Sequence, residues 1–284
     1  MGASEAEKTY VVTGANTGIG KATAKGLAAR GGHVVMVSRD AAKGEAARQE
    51  VLAAAPGARV EVVQGDLGSL ASTRALASAL LAQVPRIDVL VNNAGVWLTS
   101  RQETPDGFEK TLGVNHLAPF LLTNLLKQRL AEGGGGRVVN VSSALYARGR
   151  IDFDDLMVER RKYAGMAVYS DSKLANVYFT RELARRWAGS GVTSVALHPG
   201  VVRTDLTRGL PKIVEGLYKV LGRLFLKSPE QGARTSIHCA TAPGVEAHDG
   251  GFFSGSKPKA LKGRGQDAEA AQRLWDESAR LTGL

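Results

Sequence analysis

The stretch Tyr10-Val11-Val12-Thr13-Gly14-Ala15-Asn16-Thr17-Gly18-Ile19-Gly20 joins a β-branched run to the start of a helical pattern through a turn that holds three glycines. Glycines let backbone approach an anion closely. The free N–H groups and positive dipole end of the helix that follows favour a pyrophosphate at that place. A strand running into a helix through such a turn opens a βαβ unit, so a parallel sheet is expected from the first element onward.

Working outward, short β-branched runs alternate with longer helical patterns. Strands are expected at 10–13, 33–38, 59–64, 89–92, 137–141 and 192–197, with a last one near 251–253. Helices are expected at 19–30, 41–54, 70–83, 108–132 and 168–188, then in a segment after Thr207, and at 229–240 and 268–281. No repeat or long linker interrupts the alternation, and the only low-complexity piece, Gly133–Gly136, ends a helix. The expectation is a single α/β domain over 1–284: a Rossmann-type doubly wound parallel sheet of about seven strands with helices on both faces.

Composition excludes several functions. The 284 residues are 44% hydrophobic and 23% charged, ordinary for a globular chain with a full core. One cysteine, Cys239, permits no intramolecular disulfide and no thiolate-rich metal site, and it reads as a buried structural thiol. The histidines show no metal-ligand spacing. The net charge of +10 is spread along the chain without an aromatic-interleaved basic block, so nucleic acid is not expected, and a phosphate-bearing cofactor accounts for part of it. The short polar start, Met1 to Lys8, reads as neither signal peptide nor membrane anchor, which makes a soluble cytoplasmic protein the expectation.

Three residues separate Gly14 from Gly18, which departs from the common GxGxxG spacing and resembles the TGxxxGxG turn of the short-chain dehydrogenase/reductase family. The resemblance continues through Asn92-Asn93-Ala94-Gly95, Asn115, Ser142-Ser143, Tyr169-Ser170-Asp171-Ser172-Lys173 and Pro199-Gly200, in family order over nearly the whole chain. It implies a nicotinamide dinucleotide held by Gly14, Asn16, Thr17, Gly18, Ile19 and Gly20, by Asp66 and Leu67 at the adenine, by Asn93, Ala94 and Gly95, and by Pro199, Gly200 and Thr204 at the nicotinamide. Tyr169 and Lys173 belong to the cofactor set as well as to the catalytic one.

After the second strand, an acidic residue would bond the ribose 2′-hydroxyl of NAD and repel a 2′-phosphate. Ser38 occupies that place and Arg39 offers a planar fork of donors, so NADP(H) is expected, with Asp40 as the feature against it. Lys21 reads equally as a second phosphate contact or as an exposed helix lysine.

Tyr169 and Lys173, four residues apart, project from one face of a helix. An ammonium beside the phenol is expected to lower its pKa, so that Tyr169 exchanges a proton with a substrate oxygen near neutrality. One of the paired serines is expected to bond that oxygen. The resemblance favours Ser143, with Ser142 as the alternative, and it gives Asn115 a water relay to Lys173, leaving His116 as a packed neighbour.

The long interval between Ser143 and Tyr169, with Leu112–Leu117 and Ser172–Asn176, resembles the retinol dehydrogenase-like branch, which is similar also to protochlorophyllide reductases. A substrate lid is expected at about 204–228, where Leu210, Ile213, Val214, Leu217, Tyr218, Leu221, Leu224 and Phe225 would form an apolar helix face among basic residues. That face reads as a helix packed on the core, as the wall of a lipophilic pocket, or as a peripheral membrane contact. The expected partner is a small carbonyl or alcohol substrate, and the resemblance adds a homo-oligomer. The rival reading is a non-catalytic regulator that senses NADP(H), which loss of a catalytic residue would favour; none is lost.

Overall fold

The computed structural model describes residues 8–202 and 227–284. One sheet runs through them in the order β3-β2-β1-β4-β5-β6-β7-β8. The strands are β1 (Thr9–Thr13), β2 (His33–Ser38), β3 (Val60–Gln64), β4 (Val89–Asn92), β5 (Arg137–Val141), β6 (Thr193–His198), β7 (Phe252–Ser254) and β8 (Lys257–Lys259). All neighbours pair in parallel except β7 and β8. Helices α1 (Gly18–Ala28), α2 (Ala41–Ala54), α3 (Leu70–Gln83), α4 (Ala118–Leu125), α5 (Lys127–Glu132), α6 (Gly165–Arg186), α7 (Pro229–Thr241) and α8 (Ala268–Thr282) make up most of the rest.

The central strands are apolar on both faces because both are covered. In β1, Tyr10 and Val12 enter the core layer that contains Ala24 and Leu27 of α1 and Ala47 and Val51 of α2. Val11 enters the opposite layer with Leu76 of α3, Phe120 of α4 and Phe179 of α6. The sheet order turns back between β1 and β4, the third and fourth strands from the β3 edge. Ligands of doubly wound sheets bind at such a reversal, beyond the carboxyl ends of the strands.

Two features depart from the sequence expectation. The sheet has eight strands, not seven: β8 carries Lys-Pro-Lys, without β-branched alternation, and exists through its antiparallel pairing with Phe252–Ser254. The helix expected over 108–132 is broken into a single turn at Lys110–Leu112, a π-helical turn at Gly113–Leu117, and α4 and α5. Pro119, near the start of α4, lacks an N–H to continue the preceding ladder, and Leu126 leaves helical geometry between the last two pieces.

The long interval before α6 is anchored at both ends. The Asp155 carboxylate accepts backbone N–H groups of Glu159 (2.8 Å), Arg160 (3.1 Å) and Arg161 (3.0 Å), closing a compact loop. Asp171 of α6 accepts from Arg150 N (2.7 Å) and Arg161 Nη2 (2.8 Å), while the Tyr163 hydroxyl donates to the buried Glu109 carboxylate (3.1 Å). No described helix is long and apolar enough to cross a membrane. The expected lid, Thr204 included, falls almost wholly outside the described residues, as does the segment after Thr207.

Candidate active site

The glycine turn lies at the reversal. Gly14 and Gly18 have φ of +64° and +53°, a region that suits glycine. A Cβ on Gly20 would lie 2.3 Å from Gly14 O, and one on Gly14 would lie 3.0 Å from Ala94 Cα, so the turn is packed against the segment after β4. Asn93 Nδ2 donates to Thr13 O (2.8 Å), and Thr13 Oγ1 accepts from the N–H groups of Asn93 (3.0 Å) and Ala94 (3.1 Å). Asn93 and Ala94 therefore brace the turn.

The residues of this turn fit a dinucleotide phosphate. Asp40, Ser69 and Asp267 cap α2, α3 and α8, whereas the Thr17 side chain makes no cap bond to α1. The first turn of α1, with Ile19 half-buried and Asn16 beside it, presents backbone N–H donors that an anion would satisfy.

Beyond β2, the buried Ser38 hydroxyl donates to Asp40 O (2.8 Å), and the exposed Arg39 guanidinium has no partner among the described residues. Asp40 is committed elsewhere. It accepts from Lys43 N (3.0 Å) at the α2 terminus and pairs with Lys43 Nζ (3.2 Å), and these hydrogen bonds hold its carboxyl below the usual range. Lys21 is paired with Glu50 (2.8 Å). Asp66 Oδ1 accepts from Gly68 N (2.8 Å) and Leu67 is buried beside it.

The catalytic candidates converge beyond β4 and β5. The Ser142 hydroxyl donates to Lys173 O (2.8 Å), whereas Ser143 Oγ accepts from Leu145 N (3.2 Å), which leaves the Ser143 hydrogen available to a ligand. Lys173 is 3% exposed; its Nζ donates to Val141 O (3.0 Å) and lies 5.3 Å from the Tyr169 ring centroid. A Cβ on Gly95 would lie 3.2 Å from Asn115 Oδ1 and 3.6 Å from Lys173 Nζ, so these groups flank one backbone position.

The expected lowering of the Tyr169 pKa is corrected by the protein's own groups. Burial pushes the phenol up to about 12 and pulls the Lys173 ammonium down to about 8. The ammonium bonds a carbonyl and makes no hydrogen bond to the phenol oxygen, so desolvation dominates.

Beyond β6, Pro199 is buried and Gly200 has φ of +97°. A Cβ on Gly200 would lie 2.7 Å from the Lys227 side chain, and Val202 and Lys227 form an isolated parallel bridge. Val202 and Lys227 thus meet beside Pro199 and Gly200, the loop expected to hold the nicotinamide. Sequence reasoning missed Lys227, which no motif marks, and gave no role to Ser172, whose hydroxyl meets Asn115 at 3.0 Å. His116 is buried as a packed neighbour, with Nε2 2.8 Å from Ser278 Oγ of α8. Among the described residues, no cluster of His, Cys, Asp and Glu could hold a metal ion.

A family model described as short chain dehydrogenase matches residues 8–213. Human retinol dehydrogenase 12 is 47% identical over 280 residues, covering 98% of this chain and 87% of that protein, and human retinol dehydrogenase 13 is 46% identical, covering 98% and 85%. Among solved structures, an uncharacterized protein from Mycobacterium Paratuberculosis is 37% identical with a TM-score of 0.79, covering 99% of this chain and 95% of that one. A structure described as an NAD(P)-dependent gluconate 5-dehydrogenase from Beutenbergia cavernae, with NADP bound at low occupancy, is 30% identical with a TM-score of 0.70, covering 87% and 94%.

Proposed function

The chain belongs to the short-chain dehydrogenase family, and from that premise we propose that it moves a hydride between NADP(H) and the carbonyl or alcohol carbon of a lipophilic aldehyde, ketone or retinoid-like compound. The observation that carries this reading is the convergence of Tyr169, Lys173 and Asn115 with the end of β5, which Ser142 and Ser143 follow, beyond the sheet reversal and with a helix start that has no side-chain cap. A bound nicotinamide supplies the hydride and, when oxidised, a positive charge.

The chain's own residues handle the proton. Tyr169, with its phenol held near 12, remains protonated and suits donation to a carbonyl oxygen during reduction. Taking a proton from an alcohol requires added positive charge beside the phenol, for which the Lys173 ammonium is placed over the ring. The Ser143 hydroxyl hydrogen, free of its local turn, bonds the substrate oxygen as charge develops. Lys173 has three N–H donors and Val141 O uses one, which leaves two for the cofactor ribose and a proton path.

Preference for NADP(H) is supported by the unpaired Arg39 fork, the neutral Ser38, and the commitment of Asp40 to the α2 terminus. A lipophilic substrate is supported by the apolar pattern of Leu210 to Phe225 in the sequence and by the relatives known as retinol dehydrogenases. The test is binding of NADPH against NADH, followed by NADPH oxidation with hydrophobic aldehydes and ketones. Tight NADPH binding with turnover is expected. Preference for NADH overturns the role of Arg39, binding without turnover returns the regulator reading, and faster turnover of small polar substrates throughout overturns the lipophilic class.

A further inference from the structure

The hydroxyl of Ser172 has no part in the chemistry above, yet it joins two of the elements that carry it. Ser172 is fully buried on α6, between Tyr169 and Lys173. Its Oγ donates to the Tyr169 carbonyl (2.8 Å) and accepts from Asn115 Nδ2 (3.0 Å). A hydroxyl has one hydrogen, so these directions are forced.

The Asn115 side chain is equally committed. Its Oδ1 accepts the Val96 N–H (2.7 Å), and Nδ2 donates to Val96 O (2.9 Å) as well as to Ser172. The amide thus clamps the segment after β4, and its remaining donor reaches the turn of α6 that carries the tyrosine and lysine. Gly95, flanked by the Asn115 amide and the Lys173 ammonium, lies inside this clamp.

We propose that Ser172 is a positioning residue for the hydride transfer. Its hydroxyl, acting through Asn115, sets the separation between the segment after β4 and the helix turn that bears Tyr169 and Lys173. The inference rests on the oxidoreductase reading and adds a residue to it. A serine serving only its own helix bonds a preceding carbonyl, and alanine, a better helix former, replaces it without loss. At this position alanine leaves a buried N–H of Asn115 without its acceptor, which depletes the aligned arrangement roughly ten- to hundredfold.

The test compares wild type, Ser172→Ala, Asn115→Ala and the double variant in NADPH-dependent reduction of a hydrophobic aldehyde. Ser172→Ala is expected to lower kcat roughly tenfold or more while KM and the Kd for NADPH stay within about twofold, and the double variant is expected to be no slower than Asn115→Ala. Wild-type kcat in Ser172→Ala, a loss confined to KM, or additive losses in the double variant overturn the proposal. A second readout is independent of turnover: the NMR side-chain amide protons of Asn115, identified by their disappearance in Asn115→Ala. They are expected to exchange with solvent at least about tenfold faster in Ser172→Ala, and unchanged exchange also overturns the proposal. A wild-type chain without turnover would sink the proposed function and with it the role in hydride transfer, whereas turnover with unchanged amide exchange in Ser172→Ala sinks this inference alone.

Discussion

Tyr169 and Lys173 share one helix face, and burial acts on them in opposite senses, up to about 12 for the phenol and down to about 8 for the ammonium. The neutral forms of both groups are favoured for one reason, which is that low-dielectric surroundings disfavour charge of either sign. Replacing Tyr169 with Phe keeps the ring and removes the proton. A fall in kcat of about 10²-fold or more is expected with NADPH affinity retained, and unchanged kcat would reject Tyr169 as the acid and base. In the proposed reading, Arg39 acts at the other end of the cofactor. Arg39→Ala is expected to weaken NADPH binding by roughly ten- to hundredfold and to leave NADH nearly unaffected, as read by titration of both cofactors. Both residues were visible in the sequence because their spacing from a glycine turn or along a helix is local. The resemblance already favoured Ser143 over Ser142, but the physical reason was not visible, because the Ser142 hydroxyl donates to Lys173 O, 31 residues away.

The π-turn at Gly113–Leu117 is the element that periodicity did not reveal. It packs closely on Thr104, where a Cβ on Gly113 would lie 2.8 Å from Cγ2, and on the distant α8, where His116 reaches Ser278. The Ser278 hydroxyl spends its hydrogen on Leu274 O (2.7 Å), so the His116 Nε2–H is the donor. Burial lowers the His116 pKa to about 3 from 6.5. Between those values the unfolded chain binds a proton that the folded chain refuses, so stability falls as pH drops from about 6.5 toward 3, by up to about 1.4 kcal/mol per pH unit. Denaturant titrations across this window are expected to show a shallower dependence in His116→Gln by as much as one proton; an identical slope would remove His116 from the account.

For the whole molecule, the sheet ends on β8, whose Lys257, Pro258 and Lys259 are all exposed. Charge and proline on an edge discourage a second chain from extending the sheet. Substituting Lys257→Val and Lys259→Val together is expected to give concentration-dependent association by sedimentation, where the parent remains unchanged over the same range. Alternation of β-branched and helical stretches, with glycines after β1, was enough to determine the parallel sheet, its helical layers and the end expected to face a dinucleotide, because burial on both faces and anion binding at a helix start leave local patterns. Only the tertiary structure decided that the expected helix after Gly107 opens into a π-turn, that Asn115 and Ser172 meet across 57 residues, and that desolvation outweighs the lysine at Tyr169. Each of these depends on groups far apart in the chain. Hydrogen bonds and burial between distant segments impose no period on the sequence, so they become visible only when the chain has packed.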